Sequence, residues 1–170
     1  MRILLVNKFH YRKGGAETYY LTVGSELERM GHEVAYFSMR HPDNLPCEWD
    51  KYFVTQREYN NVKDPLKAAR DGMALIYSPE AKRNFQALCE EFRPDVVHLN
   101  NVHRQITLSI LDAPYLGENK VPVFYTAHDY VTVCPGYLML DGGGRVDDGE
   151  AGGVLEGVLV VGETVEHGEV

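Results

Sequence analysis

The chain has 170 residues, 44% of them hydrophobic and 11% aromatic, enough for one packed domain with its own core, and no apolar run approaches the roughly 20 residues that span a bilayer. A formal net charge of −8 argues against nucleic acid as a partner. Three well-separated cysteines, Cys47, Cys89 and Cys134, fit reduced structural thiols rather than a disulfide framework or a metal clip.

The N-terminal MRILLVN enters a β-type run with no basic segment, long apolar stretch or cleavage site before it, so a cytoplasmic location is expected. Arg2 to Asn7 is a continuous apolar run of strand length, the form of a strand buried on both faces of a parallel sheet. After a polar loop, Ala16, Tyr19, Tyr20, Val23, Leu27 and Met30 recur at spacings of three and four and predict a helix that packs by that stripe and stops at Gly31. Val34 to Met39 reads as a second strand, and Lys51 to Val54 as a short third one between loops.

Ser78, Pro79 and Glu80 form a helix start, with a capping hydroxyl, a proline at the first helical position and an acid near the positive dipole end. Ala81, Phe85, Leu88 and Phe92 give that helix its buried stripe, and Arg93 and Pro94 stop it. Asp95 to Leu99 returns as a strand, a shorter helical segment lies near Gln105 to Leu111, and Val121 to Thr126 is the next strand. Strands alternating with helices imply an α/β fold, a Rossmann-like parallel sheet with helices on both faces. Such a sheet places its ligands at the carboxyl ends of its strands.

Residues 141–170 are of another kind. They hold eight acids, one base and nine glycines, with no lysine and no aromatic residue, while residues 1–140 are nearly balanced in charge. Val158 to Val161 has the composition of a strand, but so many glycines raise the cost of ordering this segment.

Three strand ends carry candidate chemistry. The first strand runs into Asn7, Lys8, Phe9 and His10, then Gly14, Gly15 and Glu17 where the helix begins. Paired glycines let a ligand approach the backbone, and the free N–H groups of a helix start favour an anion such as a diphosphate; a simple tight turn is the competing reading. The strand Asp95 to Leu99 ends in Asn100, Asn101, Val102 and His103, neutral polar groups suited to sugar hydroxyls. His98 reads as a satisfied core or edge histidine, and His103, beyond the strand end, as a site candidate. The strand Val121 to Thr126 ends in His128 and Asp129, where an imidazole can bond a hydroxyl or move a proton and the carboxylate can orient it or bind substrate. His98, His103 and His128 lack a tight zinc-ligand spacing, and no Asp-x-Asp pair is present, so no metal is expected.

Four stretches in combination, MRILLVN, GGAETYYLTVGSELERMGHEV, RPDVVHLNN and VPVFYTAHDYVTVCPGYLMLDGGG, resemble glycosyltransferase family 4 over about residues 1–145. The resemblance implies the N-terminal half of a GT-B architecture: the acceptor-side domain of a retaining, metal-independent enzyme with no cofactor, moving a sugar from a UDP- or GDP-sugar donor to a glycan or lipid-linked acceptor. It places Gly14 and Gly15 near the donor diphosphate and His128 in the catalytic centre against the transferred sugar. Glu17, Asn101, His103 and Asp129 become the acceptor- or sugar-binding set. It also implies a C-terminal donor-binding domain, in cis or in trans, without which the chain is expected to be inactive, and it allows a peripheral contact at the inner membrane face.

The resemblance ends near Val146, so residues 146–170 are set apart as an atypical tail. A frameshift or truncated reading frame is the expectation there, with a divergent native tail as the alternative. Two other readings compete. One is a stand-alone sugar-binding module, or a subunit pairing with a separate donor-binding chain. The other, a dehydrogenase, is disfavoured because neither a GxGxxG turn nor an acid ending strand two is present.

Overall fold

Leu4, Leu5 and Val6 of strand β1 (Arg2–Val6) are fully buried, as a strand covered on both faces requires. The structure, a computed structural model, describes residues 1–57 and 76–128, with the backbone of 158–161. Helix α1 (Gly15–Arg29) follows β1, then β2 (Glu33–Phe37), helix α2 (Pro79–Phe92), β3 (Val96–Leu99), helix α3 (Pro114–Glu118), β4 (Val123–Thr126) and β5 (Val158–Val161). The sheet order is β2-β1-β3-β4-β5. The first four strands are parallel and β5 adds an antiparallel edge. The chain is therefore an α/β protein of Rossmann-like arrangement with helices on both faces of the sheet.

On one face α1 buries Tyr20 against Ile3 and Leu5 of β1. On the other, α2 and α3 cover a larger core that includes Leu4, Val6, Phe37, Phe85, Val97, Leu99 and Ile110. The α2 stripe is as the spacing predicts, with Ala81, Phe85, Leu88 and Phe92 all buried together with Cys89. The Ser78 hydroxyl caps the helix by accepting from the Ala81 N–H at 3.2 Å, and Arg93 ends it in the left-handed region at φ 54°. Burial pushes the Cys47 thiol up to about 11 and Cys89 up to about 12; both are unpaired and hold little thiolate at neutral pH. Cys134 lies outside the described residues.

Helix α1 is turned from its expected face. Tyr19 and Met30 are 41% and 66% exposed, and the buried positions are Glu17, Tyr20 and Gly24. Gly24 is the reason: a Cβ there would stand 2.3 Å from the Tyr36 hydroxyl oxygen, so the bare backbone is what lets the helix sit against β2. The helix stops where expected, at Gly31 with φ 87°, a conformation glycine adopts without strain.

Three other expectations change in detail. Lys51 to Val54 is not a strand: Asp50–Tyr52 makes a 3₁₀ turn, and Val54 contributes one parallel bridge to Met39. The helical segment near Gln105 to Leu111 is a 3₁₀ turn at Leu108–Asp112, followed by the short α3 that hydrophobic spacing did not reveal. The strands at Val34 and Val121 are shorter than the apolar runs that announce them. Among the described residues no helix is long and apolar enough to cross a membrane.

Candidate functional site

From β1 the chain moves outward to β2, then returns past β1 to place β3 on its other side. Connections leaving neighbouring strands in opposite directions open a crevice at the strands' carboxyl ends. Here asparagines tie the strand ends together at that switch point. Regular β1–β3 pairing ends at Val6 and Leu99. Beyond it the Asn100 N–H donates to the Val6 carbonyl at 2.8 Å, the Asn101 N–H donates to Asn7 Oδ1 at 3.0 Å, and the Lys8 N–H donates to the Asn101 carbonyl at 2.7 Å. Asn7 also donates through Nδ2 to the Phe9 carbonyl at 2.8 Å. Asn7 and Asn100 are fully buried, and these bonds offset the cost of burying their amides. The buried Oδ1 of Asn101 has no hydrogen-bond partner among the described residues, a position a ligand hydroxyl would satisfy.

His128 follows β4 by two residues and lies on the α1 side of the sheet. Its Nε2 is 2.8 Å from Asn100 Oδ1, and its ring meets the Tyr19 ring edge-on, centroids 5.1 Å apart. His98 lies on the same side, its Nε2 2.8 Å from Thr126 Oγ1. Burial first, and His128 second, hold His98 below the ordinary histidine value, so it is a satisfied neutral histidine. His128, beyond β4, is thus met by Asn100 from the end of β3 and by Tyr19 from the second turn of α1.

Gly14 and Gly15 are exposed at the start of α1. Neither has positive φ, Gly31 being the glycine that does among the described residues, and Gly14 is extended at φ −160°. A turn therefore does not demand glycine here. A Cβ on Gly15 would meet nothing within 4 Å, so what glycine supplies is bare backbone facing open space. Glu17, 5% exposed, folds back toward Gly14; its carboxylate favours the helix start and opposes a bound anion, while Lys8, Arg12 and Lys13 precede it in the same loop.

The loop is anchored by His10, 3% exposed, which shares a hydrogen bond with the Tyr20 hydroxyl at 3.0 Å and packs against the Tyr36 and Phe53 rings. Burial lowers its pKa from the ordinary 6.5 to about 4. Because the folded value lies below the unfolded one, the unfolded chain takes up this proton first as pH falls. Stability is thus unaffected by His10 above pH 6.5 and declines between 6.5 and about 4, by on the order of 3 kcal/mol. Denaturant titrations across that range should show the decline, and His10→Gln should flatten it; an equally steep decline in the variant would assign it to other groups.

His103 turns the other way. Its Nε2 is 3.1 Å from the Tyr125 hydroxyl, and Tyr125 belongs to the core on the α2 side. Asp129 lies outside the described residues. Among the described residues no three His, Cys, Asp or Glu side chains are grouped to hold a metal ion. Three contributors lie outside the site set that the resemblance implies: Asn7, which ties the β1 exit to β3, and Asn100, which contacts His128, both read from sequence only as strand-end polar residues; and Tyr19, taken for core. The asparagine directly after β1 and the pair directly after β3 were the available signal.

The sequence profile of Glycosyltransferase Family 4 matches residues 13–143. A relative from Klebsiella pneumoniae, described as an uncharacterized 42.6 kDa protein in cps region, is 24% identical over 157 residues. The aligned part covers 86% of this chain and 41% of that relative, so the chain spans less than half of the relative's length.

Proposed function

The chain belongs to glycosyltransferase family 4, and from that premise we propose that it is the acceptor-side domain of a retaining GT-B glycosyltransferase. It moves a sugar from a UDP- or GDP-sugar to a glycan or lipid-linked acceptor, and it works with a donor-binding domain that supplies the other wall of the cleft. What supports this reading is that exposed glycine backbone, an Asn101 amide oxygen without a partner among the described residues, and His128 bonded to Asn100 each follow the carboxyl end of a parallel strand, β1, β3 and β4 respectively. In this reading the donor phosphates approach Gly14 and Gly15, with Lys8, Arg12 and Lys13 offsetting Glu17. His128 contacts the transferred sugar, Glu17 and Asn101 receive sugar hydroxyls, and His103 and Asp129 border the acceptor side. Neutral amides suit this work, since they bond hydroxyls without attracting ions. The setting is the cytoplasm, at the inner membrane face when the acceptor is lipid-linked.

Gly15→Ala tests the donor side. Alanine favours a helix more than glycine does, and the added methyl has room, so the melting temperature should hold or rise. In a two-domain enzyme carrying this domain, affinity for UDP-glucose or GDP-mannose should nevertheless fall by about tenfold, equivalent to about 1.4 kcal/mol. Unchanged affinity for both donors would detach the glycine pair from the donor site.

A further inference from the structure

We propose that Asn100 is a positioning residue that fixes His128 with its Nε2 protonated, so that the neutral imidazole carries its lone pair at Nδ1. The inference rests on the proposed site for its functional meaning, but its structural content stands apart from it.

The chemistry of the contacts sets the direction of the bond. Asn100 Nδ2 lies 3.4 Å from the Val6 carbonyl oxygen, which also accepts the Asn100 backbone N–H at 2.8 Å. A carbonyl oxygen can only accept, so the amide nitrogen must face Val6 and the amide oxygen must face His128. That oxygen can only accept in turn, so the 2.8 Å contact with His128 Nε2 requires a proton on Nε2. In a neutral imidazole the other nitrogen then carries the lone pair.

Asn100 is well placed to impose this choice. It is 1% exposed and bound to the last residue of β1 while itself following β3, so it cannot rotate without breaking contacts at the switch point. Tyr19 limits the second degree of freedom, its ring edge-on to His128 from α1. An amide orients the ring without adding charge. An aspartate here would pull a proton onto the imidazole, and an ionised group so deeply buried is costly to desolvate. Within the proposed site, the Nε2–H form makes His128 an acceptor toward a donor-sugar hydroxyl rather than a donor to it.

The test is nitrogen-15 NMR of the full chain with labelled histidine, the His128 signals assigned by their loss in His128→Gln. In the unmodified chain, the imidazole correlation pattern should show Nε2 protonated, with an Nε2–H proton protected from exchange with water. Protonation at Nδ1 instead, or exchange as fast as for an exposed histidine, would overturn the inference without any variant having to fold. In Asn100→Leu, exchange of that proton should quicken at least tenfold, whereas Asn100→Asp, which keeps an accepting oxygen, should retain protection. Unchanged exchange in a folded Asn100→Leu would show that Asn100 merely closes the end of β3. Titration with UDP-glucose and GDP-mannose in a two-domain enzyme carrying this domain separates the two claims: a protected Nε2–H that neither donor perturbs upholds the positioning role and counts against the proposed site.

Discussion

His128→Ala is expected to reduce transfer by about 10²–10⁴-fold in a two-domain enzyme carrying this domain, the range seen when a side chain that exchanges or shares protons with the reacting groups is removed. The expectation follows from placement. His128 is half-buried beyond β4 and tied to Asn100, with Tyr19 packed on its ring, so its loss removes a group facing the crevice and leaves the hydrophobic core intact. The cost to folding should be small, since water can reach the space left behind and satisfy the Asn100 oxygen. His128→Gln provides the control: it keeps an N–H donor toward Asn100 but lacks the ring nitrogen, so it should fold as the parent does and remain impaired. Steady-state kinetics beside thermal unfolding separate the two effects, and full activity in His128→Ala would remove the assignment of His128 to the catalytic centre.

The chain's architecture was readable because its parallel strands are apolar runs of strand length and its α2 stripe is regular. Ala81, Phe85, Leu88 and Phe92 all point inward. Helix α1 resisted the same reading because its buried face contains Glu17 and Gly24, which carry no apolar signal; only the closeness of Tyr36 explains why the glycine faces the sheet. Short pieces were hidden for a different reason. Helix α3 has five residues, too few for a helical period to show, and the Met39–Val54 bridge is a single long-range pairing. The site was legible to the level of strand ends and no further. His128 stands out locally, but the role of Asn100 depends on β3 lying beside β1, which brings together residues 94 positions apart. Likewise His103 and His128 look equivalent in sequence, and only the fold parts them, sending His103 to Tyr125 of β4 and His128 to Asn100 and Tyr19.

Phe85→Ala should destabilise the chain by about 3–5 kcal/mol, the usual cost of truncating a buried phenylalanine, because the neighbours only partly close over the cavity. Phe85 is fully buried on α2 and meets Phe37 of β2 edge-on, ring centroids 5.4 Å apart, a geometry that adds to simple burial. Set against a total of about 5–15 kcal/mol for a folded domain, this is a large fraction, and the melting temperature should fall by roughly 10 °C or more. The effect should reach the site through topology. Helix α2 lies between β2 and β3 in the chain, and the crevice exists because β3 returns to the far side of β1; the Phe85–Phe37 contact helps hold that return in place. In a two-domain enzyme carrying this domain, the variant should therefore lose activity in proportion to its unfolded fraction, recovering it on cooling toward the temperature of maximum stability, whereas His128→Ala stays impaired at every temperature. A loss of stability below about 1 kcal/mol would mean that α2 does not pack on β2 through Phe85, since even Ile→Val in a core costs about that much.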